Sequence, residues 1–316
     1  MELNSVADTS CEVFLSIPSR KKNGSMPFPA LLLPHCTVVT ICRWIEEEQW
    51  RGNYDVEVSN VTDDWGCLGL AGPWSRQILA PLVRDDLSDD AFPFLHCRRM
   101  TVADVATRAV RISYTGALGW EIYAPPDSLG RIYDAMVDSG LVADFGTYAL
   151  NSLRIEKGFR AWGSDMTVDT DPYEAGLGGF VRLGKATEFV GRAALRKIRA
   201  DGGPRRRLVV LAVDAVDVDA AGNESVWYGD RVVGHTTSGG YGATVERSLA
   251  FAYVPSELTR PGTQVQVELI GERRPAVVQK AAPVKVEAVR AKERRQSDAT
   301  AYDTLRYDKV TSMCNV

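Results

Sequence analysis

The sequence is poor in the residue that most catalytic metal sites depend on, since its 316 residues include only three histidines. They lie far apart, at His35, His96 and His235. Zinc sites and histidine-based triads need such side chains at short, characteristic spacings or beside a matching set of partners. We therefore expect no metal site and no histidine-centred triad.

Disulfide and redox motifs are also missing, because the six cysteines form no CxxC pair. A chain of this length does not need disulfide staples. We predict mostly buried, reduced thiols in an intracellular protein, with disulfides as the less favoured alternative. The thiols are those of Cys11, Cys36, Cys42, Cys67, Cys97 and Cys314.

Membrane and nucleic-acid partners find no support in the sequence. No apolar run approaches the roughly 20 residues that span a bilayer, and the formal net charge is -4, so no basic field points to nucleic acid. The first 12 residues contain three acids, which is unlike a transit peptide. The sequence does not indicate the oligomeric state.

Nucleotide-binding signatures are absent as well. A flavin or nicotinamide site of the common type needs G-x-G-x-x-G between a strand and a helix. The closest stretch, Gly66–Gly72, has the wrong spacing and runs into Pro73. No P-loop occurs, so we expect neither a dinucleotide nor a nucleoside triphosphate site.

Four regions differ in pattern, and together they predict an α+β fold. In residues 1–36, prolines interrupt any long helix or strand and the pattern differs from the rest of the chain, so we expect weak order there. Residues 284–316 are predicted to be a disordered tail. Residues 37–200 mix helical and strand patterns, whereas residues 205–283 contain only short strands, typical of a small barrel or sandwich. Helices are predicted over 73–79, 128–139, 148–157 and 190–200, and strands over 54–60, 67–71, 110–114, 120–123, 208–213, 226–228, 231–233, 264–269 and 276–278.

The stretch 113–123 is the strongest candidate for a binding site. It places Glu121 inside an apolar strand, and a buried carboxylate needs hydrogen-bond donors. A pterin ring offers two adjacent N–H groups that one carboxylate can accept together. Flat side chains that suit a flat ligand surround it, namely Tyr114, Trp120 and Tyr123. A surface glutamate on an edge strand explains the pattern equally well.

Two further stretches carry charged residues in apolar surroundings. In 153–163, Arg154 lies on a predicted helix and could orient Glu121 or another acid, or could simply face solvent. In 171–177, a proline, a carboxylate and a glycine could line a pocket, although the pattern favours a turn.

Several motifs, taken in order, resemble the glycine-cleavage T-protein (aminomethyltransferase) superfamily. They are YTGALGWEIY (114–123), LRIEKGFRAWG (153–163), DPYEAGL (171–177) and FVGRAAL (189–195). Residues 223–239 and 248–255 look like the dimethylglycine dehydrogenase branch of that superfamily. The resemblance runs from about residue 43 to about residue 283.

The resemblance implies an N-terminally truncated folate-binding domain followed by a small C-terminal β-barrel. Enzymes of this branch oxidise dimethylglycine to sarcosine with FAD held in a separate domain, and pass the one-carbon unit to tetrahydrofolate. FAD is not expected to bind this chain. The resemblance also implies a mitochondrial matrix protein, and it makes folate the small-molecule partner.

Specific residues follow from the same resemblance. The folate contacts would be Tyr114, Glu121, Ile122 and Tyr123, with Glu121 on the pterin and Arg154 supporting it. The family's catalytic acid belongs to a segment that residues 1–40 do not resemble, so the catalytic residue is unknown. Ile41 and Gly179 replace an aspartate and a tyrosine of the branch. Whether the chain is an enzyme stays open, and a non-catalytic module similar to the regulatory subunit of pyruvate dehydrogenase phosphatase is the alternative.

Overall fold

The computed structural model describes residues 35–52, 55–56, 58–280 and 282–284, which form parts of two compact units. The first unit runs to Ser113 and resumes over Ala117–Ala143. The second contains Tyr114–Gly116 and everything from Asp144 onward. This division by compactness falls after Ala143. The boundary between sequence domains near residues 200–205 stays a prediction. Weak order was predicted for residues 1–36 and a disordered tail for residues 284–316, and nearly all of these residues lie outside the described part of the chain. At its edges the structure differs from the prediction, since His35 and Cys36 begin α1 and Val284 donates its N–H to the Glu156 carbonyl.

The first unit is built on a four-stranded antiparallel sheet. Its elements are α1 (His35–Gly52), β1 (Gly66–Ala71), α2 (Ser75–Leu79), β2 (Cys97–Val102), β3 (Val105–Val110), β4 (Gly119–Ala124) and α3 (Pro126–Val137). The strands follow the order β1-β4-β3-β2. Strand β4 is therefore central and pairs with β1 and β3.

One face of this sheet carries the core of the unit. Successive side chains of a strand point to opposite faces, so Trp120, Ile122 and Ala124 share one side of β4, and all three are fully buried. They pack with apolar side chains of α2 and α3, namely Ile78, Leu79, Ile132 and Met136. Glu121 and Tyr123 necessarily point to the other face.

The predicted elements of the first unit are confirmed where the periodicity was strong. The helices near 73–79 and 128–139 and the strands near 67–71 and 120–123 are all present. The strand predicted over 54–60 is wrong, since the described residues there are irregular. The strand predicted over 110–114 is also wrong beyond Val110, where β3 ends. The backbone opposite this point, just before β2, is irregular, since Leu95 adopts a positive φ of 67°.

Two elements of the first unit had no signal in the sequence. The β2–β3 hairpin turns through Ala103 and Asp104, with φ values of 49° and 61°. Glycine or asparagine usually occupies such positions, so the turn escaped prediction. Helix α1 begins with a run of β-branched residues, which have low helix propensity. No described helix is long and apolar enough to cross a membrane.

The second unit contains two helices and a barrel. The helices are α4 (Thr147–Glu156) and α5 (Arg192–Ala200), close to their predicted bounds. The strands are β5 (Arg206–Val213), β6 (Ser225–Tyr228), β7 (Arg231–Gly242), β8 (Arg247–Pro255), β9 (Gln264–Leu269) and β10 (Glu272–Val278). Short 3-10 turns in the two units cover Thr62–Asp64, Ala80–Leu82, Gly178–Phe180 and Ser256–Leu258.

The six strands close in the order β10-β5-β8-β7-β6-β9, so the barrel alternative is confirmed over the sandwich. Alternate residues fill its interior, including Leu211, Val254 and Val267. Strands β5 and β8 are also buried on their outer face, where Leu208, Val210, Leu249 and Phe251 pack with Ile155 of α4. This double burial explains why both strands read as continuous apolar runs. The Gly229-Asp230 turn between β6 and β7 is present as predicted.

The interior of the barrel yields a stability test. Leu211 is fully buried there, so Leu211→Ala should destabilise the protein by about 2–5 kcal/mol through lost burial and a residual cavity. Val216, which is 99% exposed, provides the control, and Val216→Ala should change stability little. Urea unfolding followed by circular dichroism measures both. Equal stability of the two variants would contradict the packing described.

Candidate functional site

Glu121 occupies the centre of β4, on the sheet face opposite the core. Its direct neighbours across the sheet are Gly69 on β1 and Val110 on β3. A Cβ atom built on Gly69 would meet no other described atom within 4 Å. Because Gly69 has no side chain, the sheet surface next to the Glu121 side chain is open.

The Glu121 carboxylate has one partner in the first unit. Tyr123, which is 3% exposed, donates its hydroxyl to Oε2 at 2.6 Å. Among the described residues, no hydrogen bond reaches Oε1, and no arginine, lysine or histidine forms an ion pair with the group. Burial raises the pKa of Glu121, and the Tyr123 hydrogen bond lowers it less. The carboxylate is thus a partly desolvated acceptor with unused capacity.

Two predicted neighbours of Glu121 face away from it. The Ile122 side chain is fully buried in the core, so only its backbone can face a ligand on the Glu121 side. The indole of Trp120 is also fully buried, with its ring 6.4 Å from that of Phe92. The expectation that Trp120 offers a flat surface to the ligand is therefore wrong, because strand alternation turns it into the core.

In the second unit, Tyr114 is held in a fixed orientation. Its hydroxyl donates to the backbone carbonyl of Arg160 at 2.8 Å, and its ring stacks on Phe159 with 6.1 Å between centroids. The side chain is 36% exposed. Burial raises the pKa of the Tyr114 hydroxyl, so it remains a neutral donor near pH 7. An aromatic surface with a fixed hydroxyl suits a flat polar ligand.

Arg154 is buried and forms an ion pair with Asp165, not with Glu121. Its other guanidinium hydrogens go to the side chains of Asn151 and Ser238 and to the Phe159 carbonyl. All five N–H groups therefore have acceptors within the second unit. The support of Glu121 implied by the resemblance is corrected on this point. A direct folate contact by Arg154 stays a prediction, and a ligand would have to displace one of these partners.

Asp165 is the functional candidate that sequence reasoning missed. It is fully buried and accepts hydrogen bonds from Ala161 N at 2.9 Å, Thr237 Oγ1 at 2.5 Å and Ser238 Oγ at 2.6 Å, besides its ion pair with Arg154. A signal was available, because an arginine on an apolar helix face needs an acid, and Asp165 lies two residues after the end of the 153–163 motif. The pair joins α4 and the 161–166 loop to β7.

The remaining predictions concern a turn, the thiols and metals. Residues 171–177 form a turn as predicted, in which Asp171 Oδ1 accepts the backbone N–H groups of Tyr173 and Glu174. The thiols of Cys42, Cys67 and Cys97 form no disulfide with another described cysteine, and they are only half-buried. Within the described part of the chain, no three potential ligands among His, Cys, Asp and Glu group together as a metal would require.

The Arg154–Asp165 pair provides a second test. Asp165→Asn would leave a buried guanidinium without its counter-charge, which costs about 3–5 kcal/mol. Asp230 serves as the control, because its side chain is fully exposed and its nearest arginine nitrogen is 3.9 Å away. Asp230→Asn should change stability by less than about 1 kcal/mol. Urea unfolding measures the free energy of unfolding of both variants. A loss of less than about 1 kcal/mol for Asp165→Asn would show that this ion pair is not important for stability.

Comparison with known proteins gives matches over both units. Residues 32–185 match the family described as the GCVT N-terminal domain, and residues 206–285 match the glycine cleavage T-protein C-terminal barrel domain. The similarity thus begins before residue 43, where the sequence motifs placed it. The solved aminomethyltransferase T of the glycine cleavage system from Bartonella henselae superposes with a TM-score of 0.70 at 25% identity. That match covers 79% of this chain and 66% of the other.

Curated relatives agree with these matches. The mitochondrial dimethylglycine dehydrogenase of Mus musculus is 49% identical over 261 residues, covering 82% of this chain and 30% of the relative. The human protein of the same name is 52% identical over 239 residues, covering 75% of this chain and 28% of the relative. This chain thus spans less than a third of those relatives.

An aminomethyltransferase of Prochlorococcus marinus (strain NATL1A) is matched over most of its length. It is 32% identical over 253 residues, covering 77% of this chain and 67% of that protein. The T-protein fold, the closed barrel and this match together show that the chain belongs to the glycine-cleavage T-protein (aminomethyltransferase) family.

Proposed function

We propose that this chain binds tetrahydrofolate and that Glu121 holds the pterin ring. One observation carries the proposal: Glu121 is a half-buried carboxylate whose Oε1 accepts no hydrogen bond from any described residue. The missing side chain at Gly69 leaves room beside it. A partly buried acceptor that lacks a hydrogen bond contributes most to the binding free energy when the ligand supplies the missing donors.

The chemistry of the pterin matches that acceptor. Its ring N–H and exocyclic amine are adjacent donors, which a single carboxylate can accept in a bidentate manner. Tyr123 holds Oε2 with its hydroxyl, so the carboxylate plane is fixed before the ligand arrives. Pre-organisation of this kind lowers the entropy that binding would otherwise lose.

Under this proposal, each of the other predicted folate contacts has a more limited role than Glu121. Tyr123 acts through Glu121, and Ile122 can contribute only its backbone on that side of the sheet. Tyr114 contributes an aromatic ring whose hydroxyl is anchored to the backbone of Arg160. Arg154 acts through the segment that it fixes with Asp165.

We further propose that the folate serves the oxidative demethylation of dimethylglycine to sarcosine. Support comes from the similarity to the dimethylglycine dehydrogenases, although this chain spans less than a third of their length. When bound, tetrahydrofolate supplies the nitrogen that accepts the one-carbon unit. FAD would be held by a separate domain, since this sequence has no dinucleotide signature. The names of the same relatives support a mitochondrial location.

Calorimetric titration with tetrahydrofolate tests the proposal, using the wild-type chain, Glu121→Ala and the exposed control Asp134→Ala. Losing a charge-assisted, bidentate acceptor costs about 1.5–3 kcal/mol or more, which corresponds to at least a tenfold weaker affinity. The control variant should bind as the wild type does. A wild-type chain that melts cooperatively but binds no tetrahydrofolate would refute the proposal and favour the non-catalytic regulatory module.

The raised pKa of Glu121 makes a separate prediction about pH. A carboxyl whose pKa is higher in the folded state destabilises the fold increasingly as the pH rises through that pKa. Glu121→Gln removes the charge and keeps the shape, so it should stabilise the ligand-free protein above this range and have little effect well below it. Thermal melts across the acidic to neutral range measure the difference. A stabilisation that shrinks with rising pH would contradict the sign.

A further inference from the structure

Two arginines face each other on the sheet surface that carries Glu121. Arg99 on β2 pairs directly with Arg108 on β3, and Arg108 in turn pairs with Tyr123 on β4. Residues that are direct cross-strand partners point to the same side of a sheet. Both guanidinium groups therefore share a face with Tyr123 and Glu121.

This arrangement is unfavourable without a further partner. Like charges that stand directly opposite each other destabilise a strand pair. Within the described part of the chain, neither arginine forms an ion pair or a side-chain hydrogen bond with an acid. Arg108 lies over the Trp65 ring, 4.8 Å from its centroid. Burial raises the pKa of the nearby Cys97 thiol, and the charge of Arg108 lowers that pKa less. Other arginines of the unit do have acids: Arg76 and Arg111 share Asp89, and Arg131 pairs with Asp104.

We propose that Arg99 and Arg108, with Trp65, form an anion subsite that receives the carboxylates at the tail of the bound folate. The inference rests on the proposed function, because it takes Glu121 as the pterin anchor. Neighbouring strands lie about 4.8 Å apart, which places Arg108 one strand and Arg99 two strands away from Glu121. A folate carries its glutamate carboxylates at the end remote from the pterin, so a tail that crosses these strands reaches both groups.

The two side chains suit different parts of that tail. Arg108 is half-buried and lies against an aromatic ring, which fixes its planar fork for a bidentate carboxylate. Arg99 is exposed, so it can follow a carboxylate that remains near solvent. A bound carboxylate would also neutralise the repulsion between the two guanidinium groups.

The test uses Arg99→Gln, Arg108→Gln and the double variant, with Arg98→Gln as a matched control. Arg98 is the sequence neighbour of Arg99 but lies on the opposite sheet face, over the Phe92 ring at 5.0 Å. Each protein is titrated with tetrahydrofolate and with 6-methyltetrahydropterin, which keeps the pterin and lacks the tail. The double variant should bind tetrahydrofolate at least tenfold more weakly and the pterin as the wild type does, and Arg98→Gln should change neither.

Other outcomes separate this inference from the proposed function. A wild-type chain that binds both ligands equally well would refute the subsite and leave the pterin site standing. Binding of neither ligand would remove the proposed function itself. A double variant that loses both ligands equally, or that retains full affinity for tetrahydrofolate, would also overturn the subsite. Stronger thermal stabilisation of the wild type by inorganic phosphate than by 4-aminobenzoyl-glutamate would assign the pair to a phosphate ligand instead.

Stability gives an independent readout. Removing one of two opposed charges should raise the melting temperature of the ligand-free protein in Arg99→Gln, and the gain should shrink in high salt because salt screens the repulsion. An arginine with a purely structural role would instead lower the melting temperature when replaced. A salt-insensitive loss of stability would therefore count against the inference.

Discussion

The alternation of β4 is the constraint on which the first unit depends. Its side chains must fill the main core on one side, and on the other side they must place Glu121 beside a smaller apolar cluster that includes Tyr123 and Val110. A slip of one residue in its pairing with β1 would drive Glu121 into the core and expose Trp120. The register is therefore fixed by hydrophobic burial, and the position of the carboxylate follows from it. The same core that stabilises the unit thus positions the proposed ligand anchor.

The sequence allowed the strongly patterned parts of the structure to be predicted. Helix α3 and strand β9 had a clear period, β4 and β5 were rich in apolar and β-branched residues, and the Gly229-Asp230 turn had ordinary hairpin chemistry. The hairpin through Ala103 and Asp104 lacked such chemistry, and only its tertiary setting imposes the positive φ values. Helix α1 was missed for a related reason, because its β-branched residues gave no local helical preference.

Glu121 could be singled out as a candidate from the sequence because a carboxylate interrupts an apolar strand. The direction of each neighbouring side chain was not identifiable without the register, and for that reason Trp120 was assigned to the wrong side. The sequence could not identify the acid that pairs with Arg154, and named only Glu121, since charge pairing across a fold depends on three-dimensional proximity. The structure assigns Asp165, which is fully buried against β7. The sequence motifs thus indicated candidate residues, whereas the contacts among these residues required the structure.

Because β5 and β8 are buried on both faces, they should tolerate fewer substitutions than the other strands of the barrel. Neither face of these two strands meets solvent over most of its length, so almost any substitution there disturbs packing. Strands β6, β9 and β10 keep alternate residues on an accessible outer face. Substitutions that alter the surface of the barrel are therefore tolerated on only about half of its circumference. We expect sequence differences among relatives to concentrate at those outward-facing positions.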